Sequence, residues 1–516
     1  LQSETSSSTT LDLAFHWYQS CNTSHRLCNR MRSQKKSWMP SRLLDISSES
    51  ENQWKLVVVS ADNITPAPYF TLSYRWGSNQ SLMLRRSTLC DFRRGQQISR
   101  LPQTFQDAVV IARRFSVRYL WIDALCIMQD CREDWEREIP AMQHIYSNSV
   151  CNLAASASEN PNGGLFRTRD TTAIVPGVVA APSAASTDKN HHIFDDSYWN
   201  RQISNGPLHR RGWVFQERLL SSRVLYFGKS QIFWECFTEL KCEGFPQGIL
   251  EHHSVKNLNP LWDLQESGQQ EGQESDKMPI HLLRLWNNLV RDYSNCALTR
   301  ADDKLPAFVG IANLFGEVTG DVYLAGMWRS SLLEQLNWWV DQPRCRISTT
   351  YRAPSWSWAS LDGPIRPHHQ AARTQFLVSI TAVTTDHSSH DLAGTVSLHL
   401  RGSLTINTQL EQPLQAILYP DSLEIKLDAS RPFYFLPLQT ASYELLSDAA
   451  SDHGDLDFHM EVSCLLLEAV LCAVPPIYRR VGHCVIDDED DISMLGLCVV
   501  EDRLASVMSN SDIILI

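Results

Sequence analysis

The pattern of apolar and polar positions is most regular between residues 69 and 155. A run of aromatic, β-branched and apolar residues at 69–74 stops at a Trp-Gly pair, which predicts a strand that ends in a turn. Two further apolar runs, at 119–122 and 150–155, predict two more short strands. The run at 119–122 stops at an acid, as a buried parallel strand does where its carboxyl end reaches a cleft.

Apolar residues recur at helical spacing between these strands. In the stretch 101–115 they stand four and three residues apart and follow a proline, which predicts an amphipathic helix. In the stretch 135–146 they repeat at four, three and four, with acidic and basic residues between them. The order strand, helix, strand, helix, strand predicts a parallel sheet with right-handed crossovers.

The remaining sequence is divided by three breaks in composition. The polar start, 1–12, predicts a frayed terminus, and the stretch 171–205 lacks periodicity and predicts a long surface loop or insertion. The segment ESGQQEGQESDK at 266–277 has nothing to bury and predicts a linker. We therefore expect four parts: an N-terminal extension at 1–68, an α/β domain at 69–260, a linker at 261–279 and a C-terminal domain at 280–516.

In the C-terminal part the spacing of apolar residues changes along the sequence. Helical periodicity at 281–293 and 305–315 gives way after residue 351 to short β-like runs, which predicts a mixed domain with a helical start and a β-rich finish. Trp356 and Trp358 stand two residues apart, so we expect both rings to pack into a core from one face of a strand.

Composition and charge narrow the classes of protein. Of 516 residues 43% are hydrophobic and 20% charged, which is typical of a folded chain of several domains. A net charge of −12 argues against a nucleic-acid partner, and no apolar run reaches the roughly 18 residues of a membrane span. The 14 cysteines are too sparse for a disulfide-stapled secreted protein, so we expect a reducing, cytoplasmic compartment.

Three blocks of sequence resemble the fungal heterokaryon-incompatibility (HET) domain. They are LSYRWG at 72–77, LWIDALCIMQD at 120–130 followed by MQHIY at 142–146, and RGWVFQERL at 211–219, in the order of the family. Companion features outside the domain include a Cys-His-Cys group at 21–28 and YRAPSWSWAS at 351–360. The resemblance implies a role in fungal non-self recognition and regulated cell death.

HET domains are similar, more distantly, to Toll/interleukin-1-receptor (TIR) domains, which have a flavodoxin-like parallel sheet. TIR enzymes hydrolyse NAD through one glutamate that lies just after a tryptophan. The best match in this chain is Glu217, four residues after Trp213. The resemblance therefore implies a TIR/flavodoxin-like sheet with helices and a possible NAD glycohydrolase that yields nicotinamide and an ADP-ribose product. It implies NAD as substrate and no cofactor.

The residue types near Glu217 suit this chemistry. Breaking the bond between ribose and nicotinamide leaves an oxocarbenium-like sugar, whose charge a carboxylate can stabilise. Trp76 or Trp213 offers an aromatic wall for the flat ring. Arg75 or Arg211 offers a cation for the pyrophosphate.

Ser73 and Asp123 each close a predicted strand, where open α/β sheets bind ligands. We therefore expect Ser73, Trp76, Asp123 and Glu217 to converge on one concave site at the carboxyl edge of the sheet. For Ser73 and Trp76 the structural alternative is packing in the core.

Glu217 and Asp123 also have structural alternatives. Glu217 lies between Arg211 and Arg218 in the sequence, and its structural alternative is an ion pair, a common role for such a residue. Asp123 would equally well bond the turn that follows it.

A metal site is a further question. Cys21, His25 and Cys28 bring three soft ligands into one short segment. A tetrahedral zinc site needs a fourth ligand, and no second Cys/His pair with matching spacing follows. We therefore predict no metal site.

Three functions remain in competition. The first is a cell-death effector whose TIR-like domain consumes NAD. The second is a catalytically silent signalling module that works by self-association or partner binding. The third is a HET-family protein diverted to small-molecule metabolism that uses the same cleft. Fold alone does not decide among them.

Overall fold

The computed structural model describes most of the chain. The described residues are 2–29, 38–47, 52–78, 82–174, 177–180, 190–193, 195, 197–249, 256, 258–266, 277–340, 346–348, 350–368, 373–386, 395–410, 414–427, 432–444, 458–471, 476–500, 503–506 and 510–516.

The chain divides into two compact units. The first comprises Leu1–Trp262 and Pro306–Leu314, and the second comprises Asp263–Leu305 and Phe315–Ile516. The division into four parts expected from sequence stays a prediction, because most of the expected linker, 267–276, lies outside the described residues.

The first unit alternates helices and short strands. Its elements are α1 (Ser8–Ser24), β1 (Arg42–Asp45), β2 (Gln53–Val58), β3 (Tyr69–Ser73), α2 (Leu89–Arg94), β4 (Gln96–Gln97), α3 (Gln103–Arg114), β5 (Tyr119–Trp121), α4 (Asp123–Cys126), α5 (Arg132–Asn148), β6 (Cys151–Ala154), β7 (Gly177–Ala180), β8 (Asn190–Ile193), α6 (Gly212–Leu220), β9 (Arg223–Phe227), β10 (Ile232–Cys236) and β11 (Leu240–Cys242).

Nine of these strands form one sheet in the order β11-β10-β9-β6-β3-β5-β1-β2-β4. β3 runs parallel to β5 and β6, and β6 runs parallel to β9. The flanking pairs are antiparallel. The predicted parallel sheet with helical crossovers is therefore confirmed as the centre of a mixed sheet.

The register of the central strands brings their carboxyl ends together. Ser73 of β3 lies opposite Ala154 of β6, and Thr71 of β3 lies opposite Trp121 of β5. The central strands β3, β5, β6 and β9 are buried at every position, as expected of parallel strands covered on both faces.

The polar start of the chain is helical from Ser8 onwards, so the prediction of a frayed terminus is wrong. The Ser7 side chain caps α1 by accepting the N–H of Thr10 at 3.3 Å. The Thr10 hydroxyl donates to Glu243 at 3.0 Å, and Ala14 and Trp17 of the same helix are buried. The serines and threonines that suggested disorder include the residue that a helix start needs.

The segment 171–205, expected to be a loop or insertion, contains structure where it is described. β7 and β8 pair as an antiparallel hairpin. A single π-helical turn at Asn200–Ser204 follows, and Trp199 and Ile203 are buried in a cluster that includes Tyr226. The end of the segment therefore belongs to the hydrophobic core.

The second unit begins with helices and continues with strands. Its elements are α7 (Asn259–Glu266), shared with the first unit, α8 (Ile280–Ser294), α9 (Val309–Thr319), also shared, β12 (Tyr323–Leu324), β13 (Met327–Trp328), α10 (Leu332–Leu336), β14 (Trp338–Trp339), β15 (Arg346–Ile347), β16 (Leu361–Asp362), β17 (Arg366–Pro367), β18 (Arg373–Phe376), β19 (Ser379–Asp386), β20 (Thr395–Gly402), β21 (Thr405–Ile406), β22 (Ile417–Pro420), β23 (Tyr434–Glu444), β24 (Phe458–Leu471), β25 (Ile477–Ile486), α11 (Glu489–Met494), β26 (Leu497–Val500), β27 (Arg503–Ser506) and β28 (Ser511–Leu515).

A second nine-stranded sheet dominates this unit, in the order β18-β23-β24-β25-β28-β20-β19 with β21 beside β23 and β22 beside β25. The predicted β-rich C-terminal domain is therefore confirmed. Trp356 and Trp358 are buried, as expected, but they lie in a turn and in a 3-10 helix at Trp358–Ser360. Their predicted place on a strand is wrong.

Among the helices of the described ranges, none combines the length and the apolar character that a bilayer crossing requires.

Candidate functional site

A chain of directed hydrogen bonds connects β3, β6 and α6. The hydroxyl of Thr71 donates to Oδ1 of Asn152 at 3.0 Å, and Nδ2 of Asn152 donates to Oγ of Ser73 at 2.8 Å. Because an amide nitrogen can only donate, Ser73 accepts there and keeps its own proton for another partner. That partner is Oε2 of Glu217.

Glu217 is a buried carboxyl group, 7% exposed, at the carboxyl edge of the parallel strands. Burial raises its pKa to about 7, and the charge of Asp123 acts in the same direction. The hydrogen bond from Ser73, the charge of Arg211 and a hydrogen bond with Tyr146 partly offset this rise. Near neutral pH the group is therefore present in both protonation states.

The ion-pair alternative for Glu217 does not apply to Arg218. Arg218 donates to both carboxylate oxygens of Glu235, at 2.9 and 2.6 Å, inside the fold. In this bidentate ion pair Glu235, and not Glu217, neutralises the charge of Arg218. Arg211 remains an electrostatic neighbour of Glu217, since its charge lowers the pKa of Glu217.

Asp123 lies just beyond β5, where two side chains and one backbone group contact it. Its Oδ2 accepts the indole N–H of Trp76 at 2.7 Å, and its Oδ1 accepts the N–H of Ala124 at 2.6 Å. Burial raises its pKa, while the bonds from Trp76, then Tyr74 and Ala124, act in the opposite direction. Asp123 thus bonds the following turn, as its structural alternative expected, and also fixes the orientation of the Trp76 ring.

The other sequence-predicted residues lie around these two acids. Arg211 precedes α6 and donates to the carbonyl of Tyr74 at 2.6 Å. Trp213 is half-buried one helical turn before Glu217, so both lie on one face of α6. Arg75 is half-buried, and among the described residues no hydrogen bond or ion pair joins it to another side chain.

The sequence therefore named four residues that the structure brings together, Ser73, Trp76, Asp123 and Glu217, joined as two hydrogen-bonded pairs. It missed Tyr146, which the helical repeat places on the apolar face of α5. It also missed Asn152 and Tyr74. The one signal for Asn152 was a polar residue inside an otherwise apolar strand, since a buried amide needs partners.

A histidine lies at the same edge of the sheet. Nε2 of His209 is 3.1 Å from Oγ of Ser156, which lies two residues beyond β6. Burial, and then the charge of Arg218, lower the pKa of His209 to about 3. His209 is therefore neutral across the pH range in which Glu217 titrates. A pH dependence near 7 would not arise from His209.

The arrangement offers an ionisable carboxyl poised near neutral pH, a second acid that orients an indole, and a nearby guanidinium. A carboxylate in such a place can stabilise a developing cation or accept a proton from water. In the described part of the chain, the one cluster of His, Cys, Asp and Glu with metal-binding spacing is Cys21, His25, Cys28 and Cys236, which includes none of these residues.

One comparison with known proteins gives a match. Residues 69–217 match the family model described as heterokaryon incompatibility protein (HET). The match ends at Glu217 and includes all the residues of the carboxyl-edge site named above. No curated protein and no solved structure matches the chain significantly.

Proposed function

Residues 69–217 form a HET domain, and from this premise we propose that the chain is a cell-death effector of fungal heterokaryon incompatibility that hydrolyses NAD. The enzymatic part of the proposal rests on the environment of the Glu217 carboxyl. This carboxyl is buried with a pKa raised to about 7, and it accepts a hydrogen bond from the Ser73 hydroxyl at the carboxyl edge of parallel strands. Perturbed carboxyls in such places are a mark of functional sites.

The strand order supports a TIR/flavodoxin-like classification of this domain. The parallel set consists of β3, β5, β6 and β9, and if they are numbered 1 to 4 in chain order their spatial order β5-β3-β6-β9 is 2-1-3-4. Flavodoxin-like sheets share this order and bind their ligand at the point where the strand order reverses, between strands 1 and 3. In this chain that position lies between β3 and β6, which carry Ser73 and Asn152.

In the proposed reaction the bond between ribose C1′ and the nicotinamide nitrogen breaks, and its electron pair leaves with nicotinamide. The ionised carboxylate of Glu217 stabilises the oxocarbenium-like ribose that remains. Water then adds to C1′ and gives up one proton, which Glu217 accepts. A base with a pKa near 7 suits this transfer at neutral pH. The products are nicotinamide and ADP-ribose.

The surrounding residues suit the other parts of NAD. Trp76, held by Asp123, presents an oriented aromatic ring for nicotinamide, with Trp213 as the second aromatic candidate. Arg75 is the better candidate for the pyrophosphate, because Arg211 already bonds the Tyr74 carbonyl.

A silent signalling module is the second candidate function. It is favoured by the small exposure of Glu217 and by its hydrogen bonds with Ser73 and Tyr146, which satisfy the carboxyl without a ligand. In this case the HET domain would act by self-association or by binding a partner. Either function would suit a reducing cytoplasm, which the sparse cysteines of the sequence favour.

The decisive experiment incubates the purified full chain with NAD and follows nicotinamide and ADP-ribose by chromatography. We expect equal amounts of the two products. Absence of turnover at high concentrations of folded protein and NAD would remove the enzymatic proposal and leave the signalling module.

A further inference from the structure

Three cysteines and one histidine meet inside the first unit. The ligand atoms of Cys21, His25, Cys28 and Cys236 all lie within 4.8 Å of one another. The three cysteines are buried and free of disulfides, and His25 is half-buried. Tetrahedral zinc with bonds of about 2.0–2.3 Å holds its ligand atoms roughly 3.3–3.8 Å apart, so a small contraction of this cluster would fit the ion.

The fourth ligand comes from a distant part of the sequence. Cys21, His25 and Cys28 lie in the last turns of α1 and in the segment after it, and Cys236 ends β10. The sequence around Cys28 holds no second Cys/His pair at close spacing, because β10 supplies a single cysteine, 208 positions after Cys28. Cys236 pairs with Arg223 at the amino end of β9, so the cluster lies at the opposite edge of the sheet from Ser73.

The groups around the cluster resemble those that orient metal ligands. Nδ1 of His25 faces Sγ of Cys236 at 3.5 Å, and its Nε2 faces Oε1 of Glu239 at 3.5 Å. A carboxylate on the outer nitrogen fixes the tautomer in which the inner nitrogen is free to bind a metal. The N–H of Glu239 also donates to Sγ of Cys236 at 3.3 Å.

Arg223 supplies an independent argument from charge. This arginine is fully buried, and its Nε donates to Sγ of Cys21 at 3.1 Å. Its other hydrogen bonds go to neutral oxygens, those of Asn29 at 2.5 Å, Val150 at 3.4 Å and Ser222 at 3.5 Å, and its guanidinium lies 6.0 Å from the centre of the Tyr18 ring. Within the described ranges no Asp or Glu forms an ion pair with it. A buried guanidinium needs an anion nearby, and three thiolates on one Zn²⁺ carry a net charge of −1.

We propose that Cys21, His25, Cys28 and Cys236 bind one Zn²⁺ ion as a structural Cys₃His site. Each cysteine loses its thiol proton to solvent as the metal binds. With four protein ligands the coordination is closed, which is typical of structural and not of catalytic zinc. The ion joins the C-terminal end of α1 to the turn between β10 and β11, and so holds the N-terminal helix against the first nine-stranded sheet.

The first test measures metal in the full chain purified without chelator. We expect one zinc per chain by elemental analysis. Exchange for Co²⁺ should produce thiolate-to-cobalt charge transfer in the near ultraviolet and d–d bands of tetrahedral intensity. A folded full chain that contains no zinc and shows no such bands with added Zn²⁺ or Co²⁺ would overturn the proposal, as would an intact-mass measurement that shows disulfides among these cysteines.

The second test separates loss of the ligand from loss of a buried cysteine. Cys236→Ser should lose the metal, whereas Cys236→His keeps a ligand atom and should retain it. Cys242→Ser, in the neighbouring strand β11 and outside the cluster, is the matched control and should retain zinc. Glu239→Gln should weaken zinc affinity about 10- to 100-fold, as typical for a lost outer partner of a metal-bound histidine. Zinc retained by Cys236→Ser, or lost equally from Cys242→Ser, would contradict the assigned ligands.

Discussion

At the scale of the residue, the protonation of Glu217 links function to stability. Its pKa in the folded chain, about 7, lies above the ordinary value of 4.5 expected for the unfolded chain. The folded chain therefore binds this proton more tightly, and the stability it contributes is fully present below pH 4.5 and lost as the pH rises to about 7. The loss amounts to roughly 3 kcal/mol.

We expect Glu217→Gln to remove this loss, because the amide keeps the shape of the protonated acid and does not ionise. The free energy of unfolding of the variant minus that of wild type should therefore increase by about 2–3 kcal/mol from pH 5 to pH 8. Urea unfolding at both pH values measures this difference. Parallel pH profiles of the two proteins would show that Glu217 has an ordinary pKa and would weaken its candidacy as a site residue.

A second residue-scale prediction concerns Ser73. Its hydrogen bond lowers the pKa of Glu217, so Ser73→Ala should raise that pKa. If the ionised carboxylate is the active form, nicotinamide release rises with pH through this pKa, and its midpoint should move upward in the variant. Ser156→Ala removes a hydroxyl at the same edge that bonds His209 instead, and serves as control. Equal midpoints in wild type and Ser73→Ala would contradict the assigned bond.

Asp123 and Glu217 could be found from the sequence because each carries a local signal. Asp123 closes an apolar run, and Glu217 belongs to a block that resembles a known family. Sequence reasoning missed Tyr146 and Asn152, because a helical repeat assigns a tyrosine to the core regardless of where its hydroxyl points. Which side-chain atoms meet is a property of register between strands, and one sequence does not contain that register.

At the scale of the element, the π-helical turn at Asn200–Ser204 contributes to stability through Trp199, the residue that immediately precedes it. Trp199 packs edge-on against Tyr226 and Phe233, with ring centroids 5.4 and 5.8 Å apart. We expect Trp199→Ala to lower the free energy of unfolding by about 3–5 kcal/mol, because it leaves a large cavity. Equilibrium urea unfolding measures the change. Val110→Ala, at a half-exposed position of α3, should stay within about 0.5 kcal/mol of wild type.

A cost for Trp199→Ala no larger than for the Val110 control would mean that this part of 171–205 is a dispensable loop, as composition suggested. The difference between expectation and structure has a physical reason. Strands and amphipathic helices repeat their apolar positions and are visible in sequence, as β3, α3 and α5 were. A single turn that inserts one tryptophan into a core leaves no periodic signal.

At the scale of the whole molecule, the chain returns to the first unit after leaving it. Residues Pro306–Leu314 belong to that unit, and the N–H of Gly310 donates to Oε1 of Gln216 at 3.2 Å. Gln216 is the neighbour of Glu217 on α6. A chain cut inside the expected linker near residue 268 would therefore lack part of the unit that holds the candidate site. Composition predicts a linker but carries no sign of this return.

Two glycines of α9 test the return segment. A Cβ on Gly310 would lie 2.7 Å from Gln216 Oε1 and 2.9 Å from Leu220 Cδ1, whereas a Cβ on Gly316 would meet its nearest neighbour at an ordinary 3.7 Å. We expect Gly310→Ala to destabilise the protein by about 1–3 kcal/mol and to lower NAD turnover through Gln216. Gly316→Ala should be neutral or stabilising by up to about 1 kcal/mol. Thermal unfolding compares them, and indistinguishable variants would contradict the close approach of Gly310.

The central claim is that the Glu217 carboxylate catalyses NAD hydrolysis, and the most direct measurement is nicotinamide release by wild type and Glu217→Gln at pH 8. Glu133→Gln, at an exposed position of α5, is the matched control, with folding of all three verified by circular dichroism. We predict that the control keeps wild-type turnover and that Glu217→Gln loses on the order of a hundredfold or more. Equal turnover by wild type and Glu217→Gln would contradict the account.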